Sequence, residues 1–232
     1  MKLCNIKAIF FDADDTIVDH KQCEKEALEY LFDNIQKEYK AQYQDIFRPL
    51  DRNLWDSVEK NSNRVPKEDI PEYRFKKFFK EINLEYTNYK EANKLFQKGL
   101  ANAVALTENA CDIIKYLYEK KYIICVVTNG LVKLQRPRIK NSQISKFISE
   151  IIVSEEAGVN KPNPQIFNVL LNKLNLQPSQ VIMIGDSLEK DIKGAENANI
   201  KTIWYNPNKK VNHTQIIPNY QITNLLELKE IL

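Results

Sequence analysis

The chain has 232 residues, 43% of them hydrophobic, enough for one large domain or a core carrying an insertion, and too many for wholesale disorder. Its 34 lysines and arginines nearly balance 31 acids, so the net charge of +3 gives no electrostatic reason to expect nucleic acid or an anionic membrane as partner. No apolar run approaches the ~18 residues of a membrane span, and Asp12, Asp14 and Asp15 crowd the N-terminal apolar patch, against a signal peptide. The four cysteines (Cys4, Cys23, Cys111, Cys125) form no CxxC pair. Cys4 and Cys125 sit in apolar stretches as small core residues, and a soluble protein in a reduced, cytoplasmic setting is expected.

In chain order, Ile6 to Phe11 predicts a strand buried on both faces. Residues 18–108 then carry helical periodicity with almost no strand signal. Ala27, Leu28, Leu31, Phe32 and Ile35 mark one helix, Phe75, Phe78, Phe79 and Ile82 a second, and Leu95 to Leu106 a third. Pro49, Pro66 and Pro71 are expected to break this block into pieces. From Asn109 the texture changes. A helix with Ala110, Ile113, Ile114 and Leu117 on one face precedes a strand at Tyr122–Val127, and a shorter strand at Ile148–Val153 follows. Pro164–Leu174 predicts a helix with a wide apolar face, and Val181–Ile184 and Ile200–Tyr205 are the last two strands. Alternating strands and helices predict an α/β fold with a parallel sheet covered on both sides, residues 1–17 and 109–232 forming the core. The all-helical block, 18–108, inserted after the first strand, reads as a lid over that strand's carboxyl end, where open α/β sheets bind ligands.

Four polar clusters each follow an apolar run or the turn beyond it. The first is Asp12-Ala13-Asp14-Asp15-Thr16. Two carboxylates two residues apart can divide the work of phosphate-ester hydrolysis, one attacking phosphorus and the other protonating the leaving alkoxide. The same residues also read as an acidic turn with Thr16 capping a helix. Thr128-Asn129-Gly130 offers a hydroxyl and backbone N–H groups to phosphate oxygens, or is an ordinary strand-to-helix turn. Lys161, between Gly158 and the prolines Pro162 and Pro164, is held at low entropy, and its ammonium can neutralise a phosphate and a carboxylate. Asp186 and Asp191 supply hard oxygen ligands suited to Mg²⁺, or stabilise a helix start. Each bland reading stands alone; all four together would demand independent coincidences in one order on one sheet edge.

These residues, in this order, resemble the four motifs of the haloacid dehalogenase superfamily, in its helical-cap branch, whose catalytic core is a Rossmann-like sheet. The resemblance extends to bacterial house-cleaning pyrimidine 5′-nucleotidases through Phe10–Asp14, Pro49-Leu50 with Trp55, Thr128–Gly130 with Leu134-Gln135, Ser154–Val159 with Lys161–Asn163, and Ile203–Asn206. It implies that Asp12 attacks phosphorus to form an aspartyl-phosphate. Asp14 would protonate the leaving oxygen and later activate water. It further implies Mg²⁺ on the Asp12 carboxylate, the Asp14 carbonyl and Asp186, with Asp191 a direct or water-mediated partner. Thr128, the Asn129 amide and Lys161 would surround the phosphate. One departure is Asp15, where glycine or asparagine is usual.

The expected partner is a small phosphorylated metabolite, above all a pyrimidine nucleoside 5′-monophosphate, with Phe47, Trp55 and Phe75 as candidates for stacking on the base. A phosphosugar phosphatase or phosphomutase is the closest alternative. A 2-haloacid dehalogenase would not need Asp14 or a metal, and a non-catalytic phosphate-binding module would not need the full set of acids. His20 and His213 fall outside the four clusters and receive no role.

Overall fold

The structure is a computed structural model describing residue 3 and residues 5–59 and 69–232; the expectations for Cys4 and Pro66 fall outside these residues. The chain divides into two compact units, Met1–His20 with Val104–Leu232, and Lys21–Ala103. β1 (Ala8–Phe11) is followed by α1 (His20–Asn34), α2 (Gln42–Glu59), α3 (Ile70–Glu81) and α4 (Tyr89–Asn102). The first unit then resumes with α5 (Ala110–Glu119), β2 (Ile123–Thr128), α6 (Val132–Asn141), β3 (Glu150–Val153), α7 (Ser154–Ala157) and α8 (Gln165–Leu174). It ends with β4 (Val181–Gly185), α9 (Lys193–Asn197), β5 (Lys201–Tyr205), β6 (Tyr220–Ile222) and α10 (Leu228–Ile231).

The six strands pair in parallel in the order β3-β2-β1-β4-β5-β6. The chain runs outward from β1 through β2 and β3, then returns to the other flank of β1 as β4. Connections leaving β1 and β4 therefore part in opposite directions, which opens a crevice at their carboxyl ends. Ala8 and Phe10 pack with Cys125, Val127 and Met183 against Ile166, Phe167 and Leu170 of α8. Ile9 and Phe11 point to the opposite face and are equally buried. Burial on both faces explains the unbroken apolar run, and each such side chain contributes roughly 1.5–3 kcal/mol. The five expected strands are all present. β6 was not expected, because three residues, Tyr220-Gln221-Ile222, are too few to carry a period.

Both crossings to the helical unit are pinned within the first unit. Val18 pairs with Leu106, Asp19 donates its N–H to the Ala105 carbonyl at 3.0 Å, and the Thr107 hydroxyl donates to the Thr16 carbonyl at 2.7 Å. The expected third helix therefore stops at Asn102, and Leu106 belongs to this crossing instead.

The helical unit has an aromatic interior. The Phe47 ring lies 5.6 Å from Phe75 and 5.0 Å from both Phe78 and Phe96. The Arg74 guanidinium sits among Phe47, Phe75 and Phe96 and is closed by Asp51 at 2.7 Å and Asn93 at 2.8 Å. Two expectations are corrected here. Phe47 and Phe75 are fully buried in this packing and present no face to a base, whereas Trp55 is half-buried. Pro49 does not break its segment but lies inside α2. Its missing N–H and ring clash cost about 3 kcal/mol, which burial of Phe47 and Leu54 on the same helix offsets. Pro71 stands in the first turn of α3, where its N–H would be unpaired in any case. Among the described residues no helix is long and apolar enough to cross a membrane, and Cys23, Cys111 and Cys125 form no disulfide.

Candidate active site

β1 delivers Asp12 to the crevice, and the Asp12 N–H donates to the Ile184 carbonyl of β4 at 2.9 Å. The chain then turns tightly, with the Ala13 carbonyl accepting from the N–H groups of Thr16, Ile17 and Val18. Asp15 sits in that turn at φ 59°, in the left-handed region that asparagine, aspartate and glycine tolerate best. Its departure from the usual residue is thus conformationally conservative.

Lys161 is 3% exposed, and its three ammonium hydrogens meet three acceptors: Asp12 Oδ1 at 2.5 Å, Asp191 Oδ1 at 2.7 Å and the Val127 carbonyl at 2.7 Å. Its backbone is fixed as firmly, because the Asn129 side chain accepts from the Lys161 N–H at 2.8 Å and donates to the Lys161 carbonyl at 3.1 Å. Asn129 thereby uses both ends of its side-chain amide on Lys161, leaving its backbone N–H as the group that can address an anion. Thr128 is buried at the end of β2, its hydroxyl donating to the Asn129 carbonyl at 3.2 Å. Gly130 follows at φ 140°, a conformation that requires glycine, and its N–H donates to Ser154 Oγ at 3.0 Å.

β4 carries the remaining acids. Asp186 follows its last residue, and Asp191 returns through a π-helical turn, Leu188–Ile192, in which the Ser187 N–H donates to Asp191 Oδ2 at 3.0 Å. Asp12, Asp186 and Asp191 each offer a carboxylate oxygen, and these oxygens lie within 4.8 Å of one another. Burial and then the Asp191 charge push the Asp12 carboxyl well above its ordinary value, against the opposing pull of Lys161. Burial, Asp191 and Asp15 raise Asp186 to about 7. Three converging carboxylates face one ammonium. That uncompensated negative charge on hard oxygen donors fits a divalent cation such as Mg²⁺.

Asp14 turns elsewhere. Its carboxylate forms an ion pair with Arg138 at 2.7 Å, accepts from the Gln135 amide at 2.7 Å, and lies 3.3 Å from His20 Nδ1. Burial alone would raise it, but Arg138 and then His20 hold it well below the usual carboxylate range.

The family description "Haloacid dehalogenase-like hydrolase" matches residues 9–205, a span that contains every one of these groups. The chain belongs to the haloacid dehalogenase-like hydrolases. Relatives cover nearly its whole length. It is 32% identical to the Bacillus subtilis protein YfnB over 97% of this chain and 95% of that one. A magnesium-bound crystal structure of YfnB superposes with a TM-score of 0.87 over 97% of this chain and 98% of that one. The pyrimidine 5′-nucleotidases PynA of Streptococcus pneumoniae and YjjG of Escherichia coli are 29% and 27% identical, each over 97% of this chain and covering 94% and 96% of their own. Its relatives over nearly the full length thus include enzymes named as nucleotide phosphatases.

Sequence reasoning about this hydrolase missed several groups near the acids. Thr16, weighed as a helix cap, instead joins two loops: its hydroxyl donates to Asp12 Oδ2 at 3.4 Å and accepts from the Asp186 N–H at 3.1 Å. Trp204 Nε1 donates to the Asp186 carbonyl at 2.9 Å and fixes that backbone. His20, given no role, approaches Asp14, and Arg138 was not singled out at all. The available signal was the spacing of Gln135 and Arg138, which puts both on one face of a helix opening beside Gly130.

The raised carboxyls have a consequence for stability. Asp186 in the folded hydrolase keeps its proton up to about pH 7 but in the unfolded chain loses it near 3.8. The native state therefore binds more protons between those values, and stability falls as pH rises through them, by up to about 1.4 kcal/mol per pH unit for each such group. Asp12 acts in the same direction. With a chelator present, the melting temperature is expected to drop between pH 5 and 7, and saturating Mg²⁺ should flatten the profile. A melting temperature that climbs over that interval under chelation contradicts this charge assignment.

Proposed function

We propose that the enzyme is a cytoplasmic, Mg²⁺-dependent phosphatase of pyrimidine nucleoside 5′-monophosphates, or of related non-standard nucleotides, working through an aspartyl-phosphate on Asp12. The observation that carries this reading is the convergence of Asp12, Lys161, Asp186 and Asp191 at one rim of the sheet. Similarity to the nucleotidases PynA and YjjG supports the substrate class.

The Asp12 carboxylate attacks phosphorus, the ester oxygen departs with a proton that Asp14, ionised in the free enzyme, takes up from solvent beside the anionic substrate, and an acyl phosphate remains. Asp14, now ionised, takes a proton from water as that water attacks phosphorus; the Asp12 O–P bond breaks, phosphate leaves and Asp14 is protonated again. Lys161, the Thr128 hydroxyl and the Asn129 backbone N–H surround the phosphoryl oxygens. The Asp12 carboxylate, the Asp14 carbonyl and Asp186 would hold Mg²⁺. Asp191, whose oxygens already accept from Lys161 and Ser187, suits a water-mediated place. Bound Mg²⁺ supplies the positive charge that lets a carboxylate approach a dianionic phosphate. Unaided monoester hydrolysis is so slow that the ensemble must lower the barrier by on the order of 20 kcal/mol. Residues 18–108 are assigned the role of a cap that selects the substrate, with Trp55 the aromatic candidate left for the base.

The test is kcat/KM for UMP, dUMP, dTMP, AMP and a set of sugar phosphates, with and without Mg²⁺. Pyrimidine nucleotides should lead by about tenfold or more, a difference of about 1.4 kcal/mol, and a chelator should abolish turnover of all. A preference for sugar phosphates would overturn the nucleotidase reading and leave the phosphatase standing.

A further inference from the structure

We propose that Arg138, together with Gln135, is a positioning residue that fixes the Asp14 carboxylate for its proton transfers. The two side chains project from α6 one turn apart and take opposite oxygens of Asp14: Arg138 pairs with Oδ1 at 2.7 Å, and the Gln135 amide donates to Oδ2 at 2.7 Å. Arg138 also donates to Gln135 Oε1 at 3.3 Å, so the three side chains close a ring. The Gln135 amide reaches the Asn129 carbonyl at 3.3 Å as well, which ties the ring to the loop that clamps Lys161.

Burial makes a merely structural account costly. Arg138 is 1% exposed and Gln135 5%. A guanidinium cannot shed its proton, and bringing it out of water costs several kcal/mol unless an anion meets it. An apolar side chain would fill the same volume of α6 without that cost. The charge also holds Asp14 ionised, which opposes proton donation, so what it contributes to the reaction is orientation. A carboxylate gripped at both oxygens cannot rotate towards the Asp12, Asp186 and Asp191 oxygens, where it would become one more metal ligand instead of a proton carrier. The inference rests on the assignment of Asp14 as acid and base.

The test separates leaving groups. A nucleotide departs as an alkoxide and needs a proton, whereas p-nitrophenolate leaves without one. In rapid-quench single turnovers with Mg²⁺, Arg138→Met should slow phosphoenzyme formation from the best nucleotide by about 10- to 100-fold, short of the 10²–10⁴ that general acid catalysis is worth. Formation from p-nitrophenyl phosphate should change by less than about threefold, within the reach of a structural disturbance alone. Arg138→Lys should recover part of the loss, and adding Arg138→Met to Asp14→Asn should cost nothing further. Equal losses on both esters, or additive losses in the double variant, overturn the proposal. If Arg138→Met does not fold, Gln135→Leu, at the other oxygen, carries the same comparison. A fully active Asp14→Asn enzyme overturns the acid assignment itself, and a wild-type chain inert on every monoester overturns the phosphatase reading.

Discussion

Asp12→Asn is expected to cut turnover on the order of 10⁵-fold while the protein stays folded. The amide oxygen is uncharged and does not displace an alkoxide from phosphorus, so the covalent route closes even though shape is preserved. Folding should hardly notice. Lys161 keeps Asp191 and the Val127 carbonyl as acceptors, and the lost carboxylate was already resisting ionisation beside Asp191. Stability should change by no more than about 1–2 kcal/mol, measured by melting in a chelator, where the crowding of acids is greatest. Activity within tenfold of wild type would remove Asp12 from the nucleophile's place.

Lys161→Met should lower kcat/KM by about 10³-fold and also weaken the fold. Methionine roughly matches the length of the lysine stem but abandons three acceptors at once, two of them carboxylates buried almost completely. Removing one partner of a buried ion pair typically costs about 3–5 kcal/mol, here eased as Asp12 takes up a proton. Mg²⁺ should return much of the stability by supplying charge to Asp12 and Asp186, yet not the rate, because the phosphoryl oxygens have lost their own cation. Melting curves with and without Mg²⁺, beside kcat/KM on the best substrate, separate the two effects. An unchanged kcat/KM would refute the role given to Lys161.

The parts of this protein that were readable from its residues are those governed by local rules. Ile9, Phe10 and Phe11 announce a doubly covered strand because nothing polar interrupts them, and the acids after β1 and β4 stand at strand ends that parallel topology must gather. Lys161 was legible through its glycine and proline neighbours, although its three acceptors were not. Arg138 escaped because a charge on a short amphipathic helix ordinarily faces water, and only the tertiary arrangement makes position 138 interior. Phe47 and Phe75 misled for the converse reason: an aromatic side chain carries the same spacing whether it packs in a core or waits for a ligand. Pro49 shows a local rule outweighed by burial along the rest of α2.

Gly185, the last residue of β4, matters for the space it leaves empty. A methyl group built on Gly185 would come within 2.3 Å of an Asp191 oxygen and 2.5 Å of its Cβ. The backbone there is unremarkable in its torsions, so what glycine contributes is vacancy. The acid six positions later leans into the volume a side chain would have claimed. Any mutational survey of this enzyme should therefore find position 185 closed even to alanine, and a designer wishing to vary the floor of the crevice has to begin at another strand.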